Sequence, residues 1–208
     1  MVDSPSIVFI VDDDASMRRA LSRLIANWGY ETHSFPDAKS FLEAPNPDRA
    51  ACAILDLRMP SLGGLELQRA LVERGQVLPT VFLTGHGDIR ASVEAIRGGA
   101  IDFLEKPVDA AVLRTAVCRA LDVATAARRD ACELENMRRR LADLTPRERE
   151  ALGCVLSGAP NKAIARRLGI TERTVKAHRR RVMEKMQAGS VAELARLAER
   201  LGVEPDAG

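Results

Sequence analysis

Along the first half of the chain, short apolar runs alternate with longer segments in which apolar residues recur every three to four positions. The runs are IVFIV (7–11), YETHSF (30–35), ACAIL (51–55), PTVFL (79–83) and AIDFL (100–104). The segments that follow them are ASMRRALSRLIANW, DAKSFLEA, GLELQRALVER, DIRASVEAIRGG and DAAVLRTAVCRALDV. A continuous apolar run suits a strand buried on both faces, and a helical spacing suits an element with one buried side. Five such units in succession predict an α/β doubly wound domain, with a five-stranded parallel sheet covered by helices on both faces.

The pattern changes after residue 122. Residues 123–143 contain no Pro or Gly and are rich in Ala, Arg and Glu, so the last helix is predicted to continue as a helical linker. Leu134, Met137, Leu141 and Leu144 fall on one side of that helix, as a seam between two chains or as an ordinary packing face. LTPRERE then supplies a Thr145 N-cap, a Pro at the first helical position and Glu148 at capping-box distance. A new all-α unit is predicted from there. Within it, NKAIARRLGITERTVKAHRRRVMEKM reads as a helix, a turn at Gly169 and a second helix capped by Thr171, which is a helix-turn-helix. Val175, Val182 and Met186 form the second helix's buried stripe. The predicted organisation is 1–122, a linker 123–143, and 144–208.

Charge sharpens the division. The overall net charge of +2 conceals 13 basic and 17 acidic residues over 1–122, 5 and 4 over 123–143, and 13 and 8 over 144–208. The last part carries most of the basic excess, which suits either a polyanion partner at that end or a plain solvated surface. Five basic residues between 173 and 181 favour the polyanion. Cys52, Cys118, Cys132 and Cys154 form no CxxC pair and read as reduced, mostly buried thiols. His33, His86 and His178 share no spacing with other ligands and are assigned surface or loop positions. MVDSPS lacks a basic region followed by an apolar run, and no stretch reaches membrane-span length, so a soluble cytoplasmic protein is expected.

The candidate chemistry gathers where strands end. Asp12 and Asp13 follow the first strand, Asp56 the third, Thr84 the fourth, and Lys106 lies just past the fifth. In open parallel sheets ligands bind at the carboxyl ends of strands, so these five groups are expected on one rim. Asp14 is placed to cap the first helix. Three carboxylates together make a hard-oxygen site suited to Mg²⁺, and a carboxylate also serves as a nucleophile toward phosphoryl groups. Asp56 is the candidate nucleophile and phosphorylation site, because it follows a buried strand and precedes LRMPSLGG, whose Pro and glycines leave room above it. Asp12 or Asp13, Asp56 itself and the Arg58 backbone carbonyl are the candidate metal ligands. Lys106 would pair with a phosphoryl oxygen and Thr84 would donate to another.

A phosphatase remains open as an alternative, since Asp12 and Asp14 form a DxD after a strand as in the haloacid dehalogenase class. Ser16 stands where that class carries Thr or Val, and where it carries another acidic pair downstream of its Lys the lone Asp109 stands. A DNA-binding scaffold that is never phosphorylated is the other alternative.

The acidic pair at 12–13, DLRMPSLGG with Asp56, LTGHGD with Thr84 and DFLEKP with Lys106 together resemble the receiver domain of two-component response regulators, which has a flavodoxin-like fold. The resemblance implies phosphorylation of Asp56 by a phosphohistidine on a sensor histidine kinase, Mg²⁺ as cofactor, and a Lys106–Pro107 bond open to the cis form. Phe103 matches the aromatic switch position, or is simply core. LTPREREAL, the helix-turn-helix and SVAELARLA resemble the LuxR-type DNA-binding domain, which implies an all-α unit of four helices. The whole layout is similar to response regulators of the FixJ/NarL/LuxR type. That implies a regulator without enzymatic turnover, an activator acting as a homodimer on promoter DNA, with RNA polymerase as a further partner. On the second helix of the helix-turn-helix, Lys176 and Arg180 are the candidate readers of guanine and Ala177 faces a thymine methyl, with Arg173, Thr174 and Arg181 on phosphates. Lys162 on the preceding helix joins this DNA-binding set. By the same resemblance the last helix, through Val191, Leu194 and Leu197, mediates dimer contacts.

Overall fold

The computed structural model describes residues 5–44, 49–76, 78–85 and 89–204. His86 lies outside them. The chain divides into two compact units, 1–129 and 130–208.

The first unit carries the strands β1 (Ile7–Val11), β2 (Glu31–Phe35), β3 (Ala51–Asp56), β4 (Thr80–Thr84) and β5 (Asp102–Glu105). All neighbours are parallel and their order is β2-β1-β3-β4-β5. The apolar runs of β1, β3 and β4 are buried along their whole length, as strands covered on both faces must be. β2, polar and partly exposed, takes an edge. β5 begins two residues later than its apolar run suggests. Gly98, Gly99 and Ala100 donate their N–H groups to Glu94, Ile96 and Ala95, so this backbone closes the preceding helix and does not pair in the sheet.

Two cores lie on the two faces of the sheet. One joins Phe9, Leu55 and Phe82 to α2 (Ala38–Leu42), α3 (Gly64–Glu73) and α4 (Ile89–Arg97) through Phe41, Leu67, Leu71 and Ala95. The other joins Val8, Ile54 and Leu83 to α1 (Ala15–Ala26) and α5 (Ala110–Ala142). On α1 the contacts are Leu21 and Ile25, and on α5 they are Leu113, Ala116, Val117, Ala120 and Leu121, the 3–4 spacing of a single buried stripe. α5 passes without interruption from the first unit into the second.

In the second unit α6 (Pro146–Leu156), α7 (Asn161–Leu168), α8 (Glu172–Met186) and α9 (Val191–Arg200) follow the end of α5. The Thr145–Glu148 capping box is complete at α6, and Pro146 opens that helix. Gly169 closes α7 at φ +65°, a left-handed conformation that costs glycine little. Thr171 caps α8. Leu144, Leu152, Val182, Met186 and Leu194 form one core, with Leu141 packed against it, while Ile164 and Val175 belong to a smaller one between α7 and α8. The stripe on the linker helix is thus a packing face at Leu141 and Leu144. Met137 is also buried and Leu134 half-buried.

Cys52 and Cys154 are buried, but Cys118 is half-buried and Cys132 exposed, so the four free thiols are less enclosed than expected. Among the described residues no helix is long and apolar enough to cross a membrane.

Candidate phosphoacceptor site and DNA-binding helix

β1 and β3 are neighbours in register, with Val11 opposite Leu55, so the residues that follow, Asp12 and Asp56, emerge side by side at the carboxyl edge. The strand order reverses between these two strands, and that is where open α/β sheets place their ligands. Asp12 and Asp56 are buried while Asp13 is exposed, and one carboxylate oxygen from each lies within 4.8 Å of the others. Lys106 Nζ donates to Asp12 Oδ2 at 2.7 Å and to Asp56 Oδ1 at 3.1 Å. Three carboxylates against one ammonium leave an excess of negative charge.

The electrostatics follow from this crowding. Burial pushes the Asp56 carboxyl above its ordinary range; Lys106 opposes the shift, and the Asp12 and Asp13 charges add to it. Burial favours a neutral amine at Lys106, but its hydrogen bonds to Asp12 and Asp56 outweigh this and hold the ammonium above its usual value. The donor set is entirely oxygen and anionic, so it fits a hard divalent cation such as Mg²⁺.

Asp14 stands apart. Its carboxylate accepts from the N–H groups of Ser16 and Met17, capping α1, and these bonds hold its pKa down. A side chain so engaged is poorly suited to be the general acid of a DxD phosphatase. Arg18, which the motif reading did not single out, reaches back from α1 to the carbonyl oxygens of Asp12 and Asp13 at 2.7 and 3.0 Å. It fixes the backbone from which both aspartates project. Its only sequence signal was a basic residue one turn into the helix.

Thr84 ends β4 almost fully buried, and its carbonyl accepts the Lys106 N–H at 2.7 Å, so the fourth and fifth strands bring both residues to the same rim. The Lys106–Pro107 peptide is cis. Phe103 is half-buried on β5, its ring centroid 6.2 Å from that of Phe82. Arg58 is exposed in the loop after β3. Gly64, at the start of α3, packs so closely that a Cβ there would lie 2.4 Å from the Asp56 carbonyl oxygen. The glycine lets α3 begin directly against the strand that carries Asp56.

On α8, Arg173, Lys176, Ala177, Arg180 and Arg181 are exposed, as is Lys162 on α7. Thr174 is half-buried, its hydroxyl 2.9 Å from that of Thr171. Arg180 Nε donates to Glu184 at 2.7 Å, one turn along, a partner that reading a guanine would require it to leave. Arg179 donates to Asn161 Oδ1 at 3.1 Å and ties α8 to α7, a bracing contact the spacing did not disclose. On α9, Val191 is exposed and Leu197 half-buried. Leu194 requires correction as a dimer contact: it is fully buried in the core of its own unit, where its side chain offers no surface to a second chain.

Comparison with known proteins agrees with this geometry. Residues 8–118 match the response regulator receiver domain, and residues 142–198 match the bacterial regulatory proteins of the luxR family. The chain is 40% identical over 201 residues to response regulator protein TodT of Pseudomonas putida, covering 97% of this chain and 88% of that protein. It is 39% identical over 196 residues to transcriptional regulatory protein FixJ of Bradyrhizobium diazoefficiens, covering 94% and 96%. The solved structure of response regulator StyR superposes with a TM-score of 0.84 at 39% identity, over 94% of this chain and 99% of that one. Over almost its whole length, therefore, the chain belongs to the two-component response regulators that join a receiver domain to a LuxR-type DNA-binding domain.

Proposed function

We propose that Asp56 accepts a phosphoryl group from a phosphohistidine of a sensor kinase, and that the modified chain dimerises on promoter DNA and activates transcription. The observation that carries this reading is the meeting of Asp12, Asp13, Asp56 and Lys106 at one edge of a sheet, in a chain that also carries a helix-turn-helix. Lys106 engages Asp56 Oδ1, which leaves Oδ2 as the attacking oxygen. The Asp56 O–P bond forms as the P–N bond to the histidine breaks, and the imidazole departs. Asp12, Asp13, Asp56 and the Arg58 carbonyl would hold Mg²⁺, which when bound supplies positive charge against the charge gathered on the phosphoryl oxygens. Lys106 turns from Asp56 to a phosphoryl oxygen, and Thr84 donates to another. The division of labour is 1–122 for phosphoryl acceptance, 123–143 as linker and 144–208 for DNA. The chain acts as a phosphoacceptor, not a turnover enzyme, with RNA polymerase as its downstream partner.

The metal assignment is tested at Asp13, whose exposure makes it replaceable without disturbing the core. Asp13→Ala is expected to weaken Mg²⁺ binding at least tenfold by titration and to slow phosphorylation by a small-molecule phosphodonor. Unchanged Mg²⁺ affinity would remove Asp13 from the ligand set.

The DNA assignment is tested by substitutions on α8. Lys176→Ala or Arg180→Ala should relax base preference at particular positions, at roughly 1–3 kcal/mol per lost bidentate contact. Arg173→Ala should weaken all sequences alike and flatten the salt dependence by about one unit of slope. The reverse pattern would mean a different docking of the helix. For dimer contacts on DNA, the proposal now rests on Val191 and Leu197.

A further inference from the structure

The opposite edge of the receiver sheet carries a cleft of about 260 Å³ between α3, α4, α5 and the amino ends of β4 and β5. Leu71, Val72, Leu78, Ile101 and Val123 supply an apolar lining, and Gln68 supplies an amide. Gln68 is only 6% exposed, so the hydrogen bonding of its amide is a full accounting question. Its Nε2 donates to the Ala95 carbonyl at 3.3 Å and to Thr80 Oγ1 at 3.4 Å. A carbonyl can only accept, so the bond to Ala95 fixes which end of the amide is nitrogen. Oε1 then points toward Gly98, another residue of the cleft wall, where a Cβ would come within 2.6 Å of it. The backbone donors nearby are committed elsewhere: Gly98 N–H to Glu94, Gly99 N–H to Ile96, Ala100 N–H to Ala95, and Ile101 N–H to Thr80. Among the described residues no donor is directed at Gln68 Oε1.

We propose that this cleft binds a small aromatic molecule carrying one hydrogen-bond donor, with the apolar wall taking the ring and Gln68 Oε1 accepting the donor. The volume sets the size of the ligand. A dry apolar cavity of roughly 150 Å³ holds benzene, so about 260 Å³ has room for a bicyclic ring such as indole. The acceptor sets its chemistry: Oε1 opens to the cleft, and a ligand that covers it without offering a donor leaves it unpaired, which discriminates against an isostere that lacks the donor. Gly98 belongs to the site because the absent Cβ is what admits Oε1 to its position.

The test uses the full-length chain, titrated with indole and with benzothiophene, which matches indole in shape but carries sulfur in place of N–H. Amide NMR shifts locate the binding. Indole is expected to perturb residues lining the cleft and to bind at least tenfold more tightly than benzothiophene. Gln68→Leu should bring indole down to the benzothiophene level, and Gly98→Ala, by displacing Oε1, should do so in part. Val72 is 63% exposed at the rim, so Val72→Lys preserves the fold and should weaken both ligands. Equal binding of the two ligands, shifts outside the cleft, or no shifts at millimolar indole would overturn the proposal.

Discussion

Asp56→Asn is expected to abolish the mass increase produced by a phosphodonor and Mg²⁺, while leaving the receiver folded. The asparagine amide has nearly the shape of the carboxylate but lacks the anionic oxygen that attacks phosphorus. Its surroundings tolerate the change. Asp12 retains its 2.7 Å hydrogen bond from Lys106, and the crowding of like charges is relieved. Burial already disfavours the charged form of Asp56, so neutralising it removes a strain that the folded receiver carries at neutral pH. The variant should therefore unfold no earlier than the wild type in metal-free buffer, followed by the fluorescence of Trp28, the sole tryptophan, which packs against the α1/α5 core. A full mass increase in Asp56→Asn would place the phosphoryl group on another residue.

Glu148→Ala carries the largest expected effect on stability. Glu148 is buried at the third position of α6, where its Oε2 accepts the Thr145 N–H at 2.9 Å and the Lys185 ammonium at 2.7 Å. Lys185 also donates to the Asp143 carbonyl, so one cation joins the end of α8 to the start of α6. Removing the carboxylate deletes half of a capping box and leaves a cation without its buried partner, at a cost of about 2–4 kcal/mol. For a unit of this size that lowers the melting temperature by on the order of 10 °C or more. Far-ultraviolet circular dichroism should show the helical unit melting earlier, while the Trp28 transition stays in place.

The same group gives a pH signature. The Lys185 hydrogen bond first, and the Thr145 N–H second, hold the Glu148 carboxyl down at about 2 against an ordinary 4.5. A depressed carboxyl pKa stabilises the fold above the unfolded value and loses that contribution as pH falls through the folded value. The helical unit should thus lose stability from about pH 4.5 down to about pH 2, and Glu148→Gln should flatten this part of the curve. An unchanged slope in Glu148→Gln would assign the acid sensitivity to other carboxylates.

Local devices were legible in the sequence because they depend on neighbouring residues. The Asp14 cap, the Thr145 box and the Thr171 cap each act within three or four positions, and the burial of β1, β3 and β4 follows from uninterrupted apolar runs. The convergence of Asp12, Asp56, Thr84 and Lys106 was legible because parallel α/β sheets align the ends of their strands. Contacts made across elements were not. The reach of Arg18 to Asp12 and Asp13, the Arg179–Asn161 brace and the Glu148–Lys185 pair depend on how helices and loops approach, which periodicity does not encode. Leu194 shows the limit in another form, since an apolar residue on an amphipathic helix looks the same whether it faces its own core or a second chain.

In the proposed mechanism a phosphoryl group on Asp56 governs both dimerisation and DNA binding. A switch from mostly off to mostly on requires about 5.5 kcal/mol of differential stabilisation, more than one local contact supplies. On this proposal, pairing of two receivers would bring two recognition helices to adjacent half-sites and provide it through effective concentration. The direct measurement is sedimentation of the full-length chain with and without phosphodonor and Mg²⁺, alongside its affinity for a duplex selected from a random pool. Dimer fraction and affinity are expected to rise together in the wild type, and neither should change in Asp56→Asn. A phosphorylated chain that stays monomeric yet binds DNA more tightly would contradict the dimer switch.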